Sequence, residues 1–464
     1  MLEEYEEALS TGQPVFLDAD ELAEIADYYQ LNENFDKADA AIDFALSLSP
    51  GAVAPLTYKI HEALWDGDID KARTYLDMIT ETDEADFVYD KAEIMLAEGD
   101  VDGAEAYLQS ELEKTPEEEH QDFIVDVANI FLDYNLSVKS LEWMSRAHHE
   151  ESADFKELMA RTLFGVGKYK DSERLWTELV DVDPFSKRYW NALAYTQYMN
   201  RDFSNSVQSS EFAIAIDPDD AGSLLSKATG LFQLANYEEA LKYFRRYSER
   251  EPDDEYGLLY QGICLYNLGR CREAIDVLNN AAEAALQVQK DDPSYEQPYL
   301  GEIYCELAFC YNELGDTDQA LAMIDKAEQY NGDVVMTLVE KGHVMLSSGR
   351  YDEAERFFHE AVRQSDSPSQ TILRIIVSFY DNKMVELAYR MFKEYFRVVG
   401  TEASEGYPYM ALCCYELKHY DEFLHYLREA CDVDPRACRV ALGHLFPDDV
   451  EPKDYYNYIK DRLQ

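Results

Sequence analysis

The side chains suited to chemistry are few and scattered. G-V-G-K at 165 to 168 has the outline of a phosphate loop, where backbone N–H groups cradle an anion and a lysine neutralises it. It lacks the third glycine and the G-K-[ST] ending, and no strand pattern precedes it, so it reads as a turn between helices. His148 and His149, followed by Glu150 and Glu151, have metal-ligand types, but helical neighbours point about 100° apart and do not converge on one ion. His419 and His425 are six residues apart and occupy different faces of a helix. The eight cysteines, at 264, 271, 305, 310, 413, 414, 431 and 438, form no C-x-x-C pair and no zinc spacing. They sit in helical apolar patterns and read as reduced thiols used for packing. Cys413 and Cys414 have no basic neighbour that would lower a thiol pKa. Carboxylates are too numerous for any pair to stand out as general acid and base. The expectation is a non-enzymatic protein with no catalytic residue, no cofactor and no metal.

The stronger signal lies in the elements that carry these side chains. Pro184, Pro218 and Pro252 are 34 residues apart, and Pro50, Pro116 and Pro435 join the same column when small length changes are allowed. Anchored there, the chain divides into twelve units starting near 19, 53, 85, 121, 153, 187, 221, 255, 301, 335, 369 and 404. Most contain two helical patterns around a short turn, as in G-V-G-K-Y-K-D or L-A-N-Y-E-E-A. One column of small residues includes Ala26, Ala92, Ala128, Ala160, Ala194, Ala228, Gly262, Ala308, Gly342 and Ala411. A second includes Ala38, Ala72, Ala104, Ala240, Ala274, Ala320, Ala354 and Ala388. Small side chains at these points let paired helices approach, while large apolar residues at i, i+3 and i+4 fill the space beside them. A single pair cannot bury its face alone, so pairs must stack.

Together these columns resemble the tetratricopeptide repeat, whose pattern is W-x2-L-G-x2-Y … A-x3-F … P. One unit reads Trp190, Leu193, Ala194, Ser206, Ala213, Pro218; another reads Leu224, Ala228, Leu231, Ala240, Phe244, Pro252. The likeness covers roughly residues 19 to 437. Ser140, Ser172 and Ser206 replace the expected Ala, and Phe423 overfills the same column. The resemblance implies an all-α, right-handed superhelical solenoid of antiparallel helix pairs, acting as a scaffold or adaptor that binds a peptide or protein segment on its concave face. The family's ligand-facing positions 2, 5, 9 and 12 of each first helix, carried over, give Arg188, Asn191, Tyr195 and Tyr198, then Leu225 and Phe232. The next units give Tyr256, Leu259, Ile263 and Tyr266, followed by Phe309. The amide of Asn191 is a candidate for hydrogen bonding a peptide backbone.

Interruptions of the period define the expected organisation. Residues 1–18 form an acidic cap, 19–290 an N-terminal array, 291–300 a proline-containing loop, 301–437 a second array and 438–464 capping helices. The step from 255 to 301 exceeds the repeat by twelve residues. Its Ala- and Leu-rich A-A-E-A-A-L-Q-V-Q predicts a second helix running on to about Gln289, before Pro293 and Pro298 enforce a loop.

Charge limits the partners. There are 94 Asp and Glu against 41 Lys and Arg, a net of −53, which disfavours any nucleic-acid backbone. A hydrophobic content of 47% separates the chain from disordered acidic tails. Residues 1–150 carry a net −30, residues 151–250 only −3, and residues 251–464 carry −20. The expected partner is therefore a protein or peptide, with a basic partner favoured by the acidic N-terminal third and held by the more neutral aromatic units. An acidic groove repels a peptide carboxylate, so Asp20, Asp27, His61, Asp86 and Glu93 do not make the family's carboxylate clamp. No run of about 18 apolar residues spans a membrane, and the N-terminus has no basic and apolar leader, so a cytoplasmic location is expected. The resemblance also admits a regulator that changes superhelical shape on binding a small signalling peptide. It admits an enzyme subunit as well, as in repeat-bearing glycosyltransferases, but the repeats leave little chain for a catalytic domain.

Overall fold

In a computed structural model of the chain, the residues described are 1–464 apart from 3–4, 7–16, 33, 149–151, 292–297, 448–449, 461 and 463–464. Among them are 26 α-helices and no strand. Twenty-four of these helices form twelve consecutive antiparallel pairs, from Ala19–Leu31 with Phe35–Leu48 to Tyr407–Glu416 with Tyr420–Val433. The first helices of the pairs begin within three residues of the starts set by the period.

Part of the acid excess has a local structural use. Asp18, Asp68, Asp100, Asp202, Asp220, Asp254, Asp316, Asp333 and Asp434 each stand at a helix N-terminus and accept a backbone N–H that the helix leaves unpaired. Such a cap contributes about 1 kcal/mol. The turn inside each pair is equally regular. Fifteen residues into eleven of the repeats the backbone is left-handed, at Gly67, Gly99, Asn135, Gly167, Arg201, Ala235, Gly269, Gly315, Gly349, Lys383 and Lys418. The following amide then bonds back to the first helix, as Lys168 N does to Leu163 O at 2.9 Å. Gly167 of G-V-G-K is one member of this series, with φ at 77°.

The small columns mark where the two helices of a pair meet. A Cβ added at Gly342 would lie 2.4 Å from Phe358 Cε1, and one at Gly262 would lie 2.4 Å from Leu278 Cδ2. Two of the three serine departures are accommodated by hydrogen bonds. Ser172 Oγ donates to Ala160 O at 2.8 Å, and Ser140 Oγ lies 2.9 Å from Thr162 Oγ1. Ser206 Oγ is buried without a partner. Phe423 is completely buried and belongs to the core of the last repeat.

The chain forms two compact bodies, residues 1–182 and 183–464. In the first, successive pairs enclose Leu22, Ala26 and Ile42, then Leu56, Ile60 and Ala72, then Phe123, Phe131 and Trp143. In the second, a continuous cluster runs from Ala228 to Val344 and includes residues on both sides of the 291–300 insertion. The long helix Cys271–Asp291 buries Ala274, Leu278, Ala281, Ala282 and Ala285. The insertion therefore lengthens a repeat without interrupting its core; most of its loop lies outside the described residues, as does most of the expected acidic cap at 1–18. Helices Pro435–Leu442 and Pro452–Ile459 place Cys438, Leu442, Tyr455 and Ile459 in the same cluster as the last repeat. One cysteine expectation is corrected. Cys431 and Cys438 are paired as a disulfide, because the turn from Tyr420–Val433 into Pro435–Leu442 brings their Cα atoms to 5.5 Å. The other six form no disulfide. No described helix is long and apolar enough to cross a membrane.

Candidate functional site

A period of one repeat places equivalent residues of neighbouring first helices beside one another, so a face of the stack is a set of columns. In the C-terminal body these columns line a groove of about 930 Å³ between Ile263 and Tyr409. Of the residues expected to meet a ligand, Ile263, Tyr266 and Phe309 line it. The rings of Tyr266 and Phe309 have centroids 6.3 Å apart. Met336, Val377 and Tyr409 continue the apolar lining into later repeats.

Other expected residues lie outside this groove, on the first helices Lys187–Met199, Ala221–Gln233 and Glu255–Asn267. Tyr195 is 52% exposed. Tyr198 accepts a hydrogen bond from Gln233 Nε2 at 3.0 Å and meets Phe203 edge-on. Phe232 is edge-on to Tyr260 at 5.1 Å, and Tyr256 lies 4.5 Å from Tyr260. Leu225 is half-buried against the core, and the Arg188 guanidinium lies 5.4 Å from the centre of the Tyr189 ring. Two expectations change. Leu259 has no exposure and is a packing residue, because the fifth position of that helix turns into the core. The amide of Asn191 is already engaged between repeats: Nδ2 donates to Asp220 Oδ2 at 3.0 Å and Oδ1 accepts from Ser223 Oγ at 2.8 Å. Burial opposes ionisation of Asp220, but hydrogen bonds from Lys187, Ser223 and Asn191 outweigh it and hold the carboxyl well below the usual range.

Positions 6 and 13 of the repeats that start at 301, 335 and 369, absent from the sequence expectation, supply most of the groove's charge. Position 6 gives Glu306, Glu340 and Arg374, and position 13 gives Glu313, Ser347 and Asp381. Burial pushes the carboxyls of Glu306 and Glu340 up to about 7. Burial lowers the pKa of His343, which lines the same groove three residues after Glu340. The repetition of Glu at 306 and 340 is a signal present in the sequence. Position 6 lies next to the core-directed position 5, so only three-dimensional placement shows that it faces the groove.

The N-terminal body has an acidic counterpart. A cavity of about 770 Å³ is lined by Ala23, Asp27, Thr57, His61 and Asp86 among others. A smaller one of about 290 Å³ adds Tyr89, Asp90, Glu93 and Asp126. Asp90 is 1% exposed and accepts from Thr57 Oγ1 at 2.6 Å. His61 Nε2 lies 3.1 Å from Asp90 and 3.5 Å from Glu93. The hydrogen bond to Asp90 raises the His61 pKa against its partial desolvation, and the nearby Glu93 and Asp86 add to the effect. Burial raises Glu93 to about 6. Asp27, His61, Asp86 and Glu93 are thus brought together.

Among the described residues, no group of three or more His, Cys, Asp or Glu is arranged to hold a metal ion. His149, Glu150 and Glu151 lie outside them. Cys413 and Cys414 are fully buried, and burial pushes both thiols up to about 12, a state suited to packing and not to nucleophilic attack.

Residues 59–119, 158–221 and 225–288 match one Tetratricopeptide repeat family, and residues 301–333 match a second family of the same description. Protein FlbA of Caulobacter vibrioides is 27% identical over 248 residues, covering 47% of this chain and 41% of that protein. The DnaJ protein P58IPK homolog A of Oryza sativa subsp. japonica is 22% identical, covering 48% of each. The chain therefore spans less than half the length of these curated relatives. The crystal structure of a tetratricopeptide repeat protein from Parabacteroides merdae covers 53% of this chain and 93% of its own, at 12% identity and a TM-score of 0.44.

Proposed function

Starting from a chain that belongs to the tetratricopeptide-repeat family, an all-α solenoid of helix pairs built for protein interaction, we propose that it is a non-catalytic scaffold whose first-helix face holds an extended segment of a partner protein. The observation that carries this reading is the groove of about 930 Å³ in the C-terminal body, lined by side chains of successive first helices. Half-buried Tyr266, Phe309 and Tyr409 offer large contact area at little rotamer cost. The exposed Tyr195 and the neighbouring Tyr198 extend the candidate surface along the same columns. A protein partner fits the net charge of −53 better than a nucleic acid does.

The test is affinity capture from the native cell with mass spectrometry, using the wild-type chain, Phe309→Ala/Tyr409→Ala and Tyr195→Ala/Tyr198→Ala. A partner recovered by wild type and lost by a groove variant of unchanged helicity supports the reading. Equal recovery by all three removes the first-helix face from consideration.

A further inference from the structure

We propose that the groove of the C-terminal body selects an extended segment carrying Arg or Lys side chains, with Glu306 and Glu340 as their receptors. This rests on the reading of the face as a segment-binding surface and adds the chemistry of the segment.

Glu340 is only 6% exposed yet lines the groove, and its one described side-chain hydrogen bond comes from the thiol of Cys305, 3.7 Å away. A thiol is a weak donor, and a carboxylate taken out of water ordinarily acquires a cation or several strong donors. Neither Glu340 nor Glu306 has an ion-pair partner among the described residues. Cations are not lacking nearby. Lys341, the next residue in the helix, is directed away from the groove, where it pairs with Asp325 at 2.8 Å and Glu328 at 3.1 Å. Arg350 and Arg363 pair with Glu353 and Glu360 on the second helix, Tyr351–Gln364. Arg374 lines the groove but sits against Met336 Sδ at 3.3 Å. The fold thus satisfies carboxylates on its second helices and leaves two on its first-helix face without a counter-ion. Burial disfavours the charged form of both; for Glu340 the Cys305 thiol and the charge of Arg374 act in the opposite direction without offsetting it. Exposed Glu313, Asp381 and Glu405 at the rim add attraction of the same sign.

Geometry also sets the spacing of the cations. Packed helices lie about 8–10 Å apart, and a chain in polyproline II extension advances about 3.1 Å per residue with three residues per turn, so side chains three apart share a face. Glu306 and Glu340 are one repeat apart, so a segment crossing the helices presents a cation to each when its basic residues are about three positions apart. Between them, Phe309 and Met336 meet the apolar side chains or the stems of the basic ones.

The test is selection of short random peptides on the full-length protein, followed by affinity measurement on a selected peptide and on its citrulline or norleucine counterpart. The expected pool is enriched in Arg and Lys at three-residue spacing and depleted in Asp and Glu. Neutralising the selected cation, or Glu340→Gln on the protein, weakens binding about tenfold, as loss of a charge-assisted hydrogen bond does. Arg374→Ala removes a competing cation and tightens binding; a merely misfolded groove would not move the two variants in opposite directions. A pool that binds without basic enrichment, with Glu340→Gln unchanged, overturns the charge assignment and leaves the segment-binding reading standing. Selection that enriches nothing overturns both.

Discussion

Gly342→Ala isolates the packing rule on which the fold depends. The new Cβ would lie 2.4, 2.6 and 2.9 Å from Cε1, Cδ1 and Cζ of Phe358, and that ring is 7% exposed. A buried ring has nowhere to move without disturbing its neighbours, and overpacking of this kind costs about 1–3 kcal/mol. Against it stands the helix propensity of Ala over Gly, worth about 1 kcal/mol in a helix interior. Three contacts under 3.0 Å put the cost in the upper part of its range, about 2–3 kcal/mol, so the repulsion wins by about 1–2 kcal/mol. Unfolding of a long repeat array is not a single transition, so the assay is amide hydrogen exchange of the pair Val334–Ser347 and Tyr351–Gln364 in the full chain. Protection there falls about five- to thirtyfold. Gly222→Ala is the control of opposite sign, since its added Cβ would meet nothing closer than 3.5 Å. In a Phe358→Leu background the same Gly342→Ala change costs less than half as much, because the ring it strikes is gone. Unchanged protection, or an equal cost in both backgrounds, would refute the claim that this column is kept small for helix contact.

Two further predictions concern charge. Asp220→Ala removes a cap to Ser223 N at 2.9 Å and the partner of Lys187 Nζ at 2.7 Å, so it lowers exchange protection of helix Ala221–Gln233 at pH 7 by about 1–2 kcal/mol. The Asp220 pKa is depressed in the folded chain, so its contribution is present above the unfolded value of about 4 and lost as pH falls through the folded one. A wild-type to variant difference that persists undiminished in strong acid contradicts this. His61, raised by Asp90, titrates in an NMR experiment above the ordinary value of about 6.5, and Asp90→Asn returns it downward. Its stabilising contact is complete below that value and fades as pH rises through the folded pKa; a His61 titration insensitive to Asp90→Asn would sink the assignment.

How much was legible beforehand follows from what a period encodes. The spacing of Pro184, Pro218 and Pro252 set the twelve helix pairs, because each repeat buries its face against the next only if the same side chains return at the same place. The small columns at Gly262 and Gly342, the turn at Gly167 and the extension of Cys271–Asp291 are local or strictly periodic, and a sequence displays them directly. Segment charge could be counted but not assigned: many aspartates of the acidic excess turn out to cap helices, which no sum distinguishes from a surface field.

Which side of a helix a residue presents to the groove, and what it meets there, was decided only by tertiary packing. Leu259 and Ile263 are four apart on one helix, yet the first is core and the second lines the groove. Asn191 has the composition of a ligand-binding amide, but Asp220 and Ser223, about thirty residues away in the chain, occupy both of its ends. Glu340 and Lys341 are adjacent in sequence; packing of the preceding repeat gives the lysine two carboxylates and leaves the glutamate facing the groove. Periodicity fixes which elements form and in what order. The direction of each side chain, and therefore the chemistry of the surface, depends on helix rotation and on neighbours that only the folded stack brings within a few ångströms.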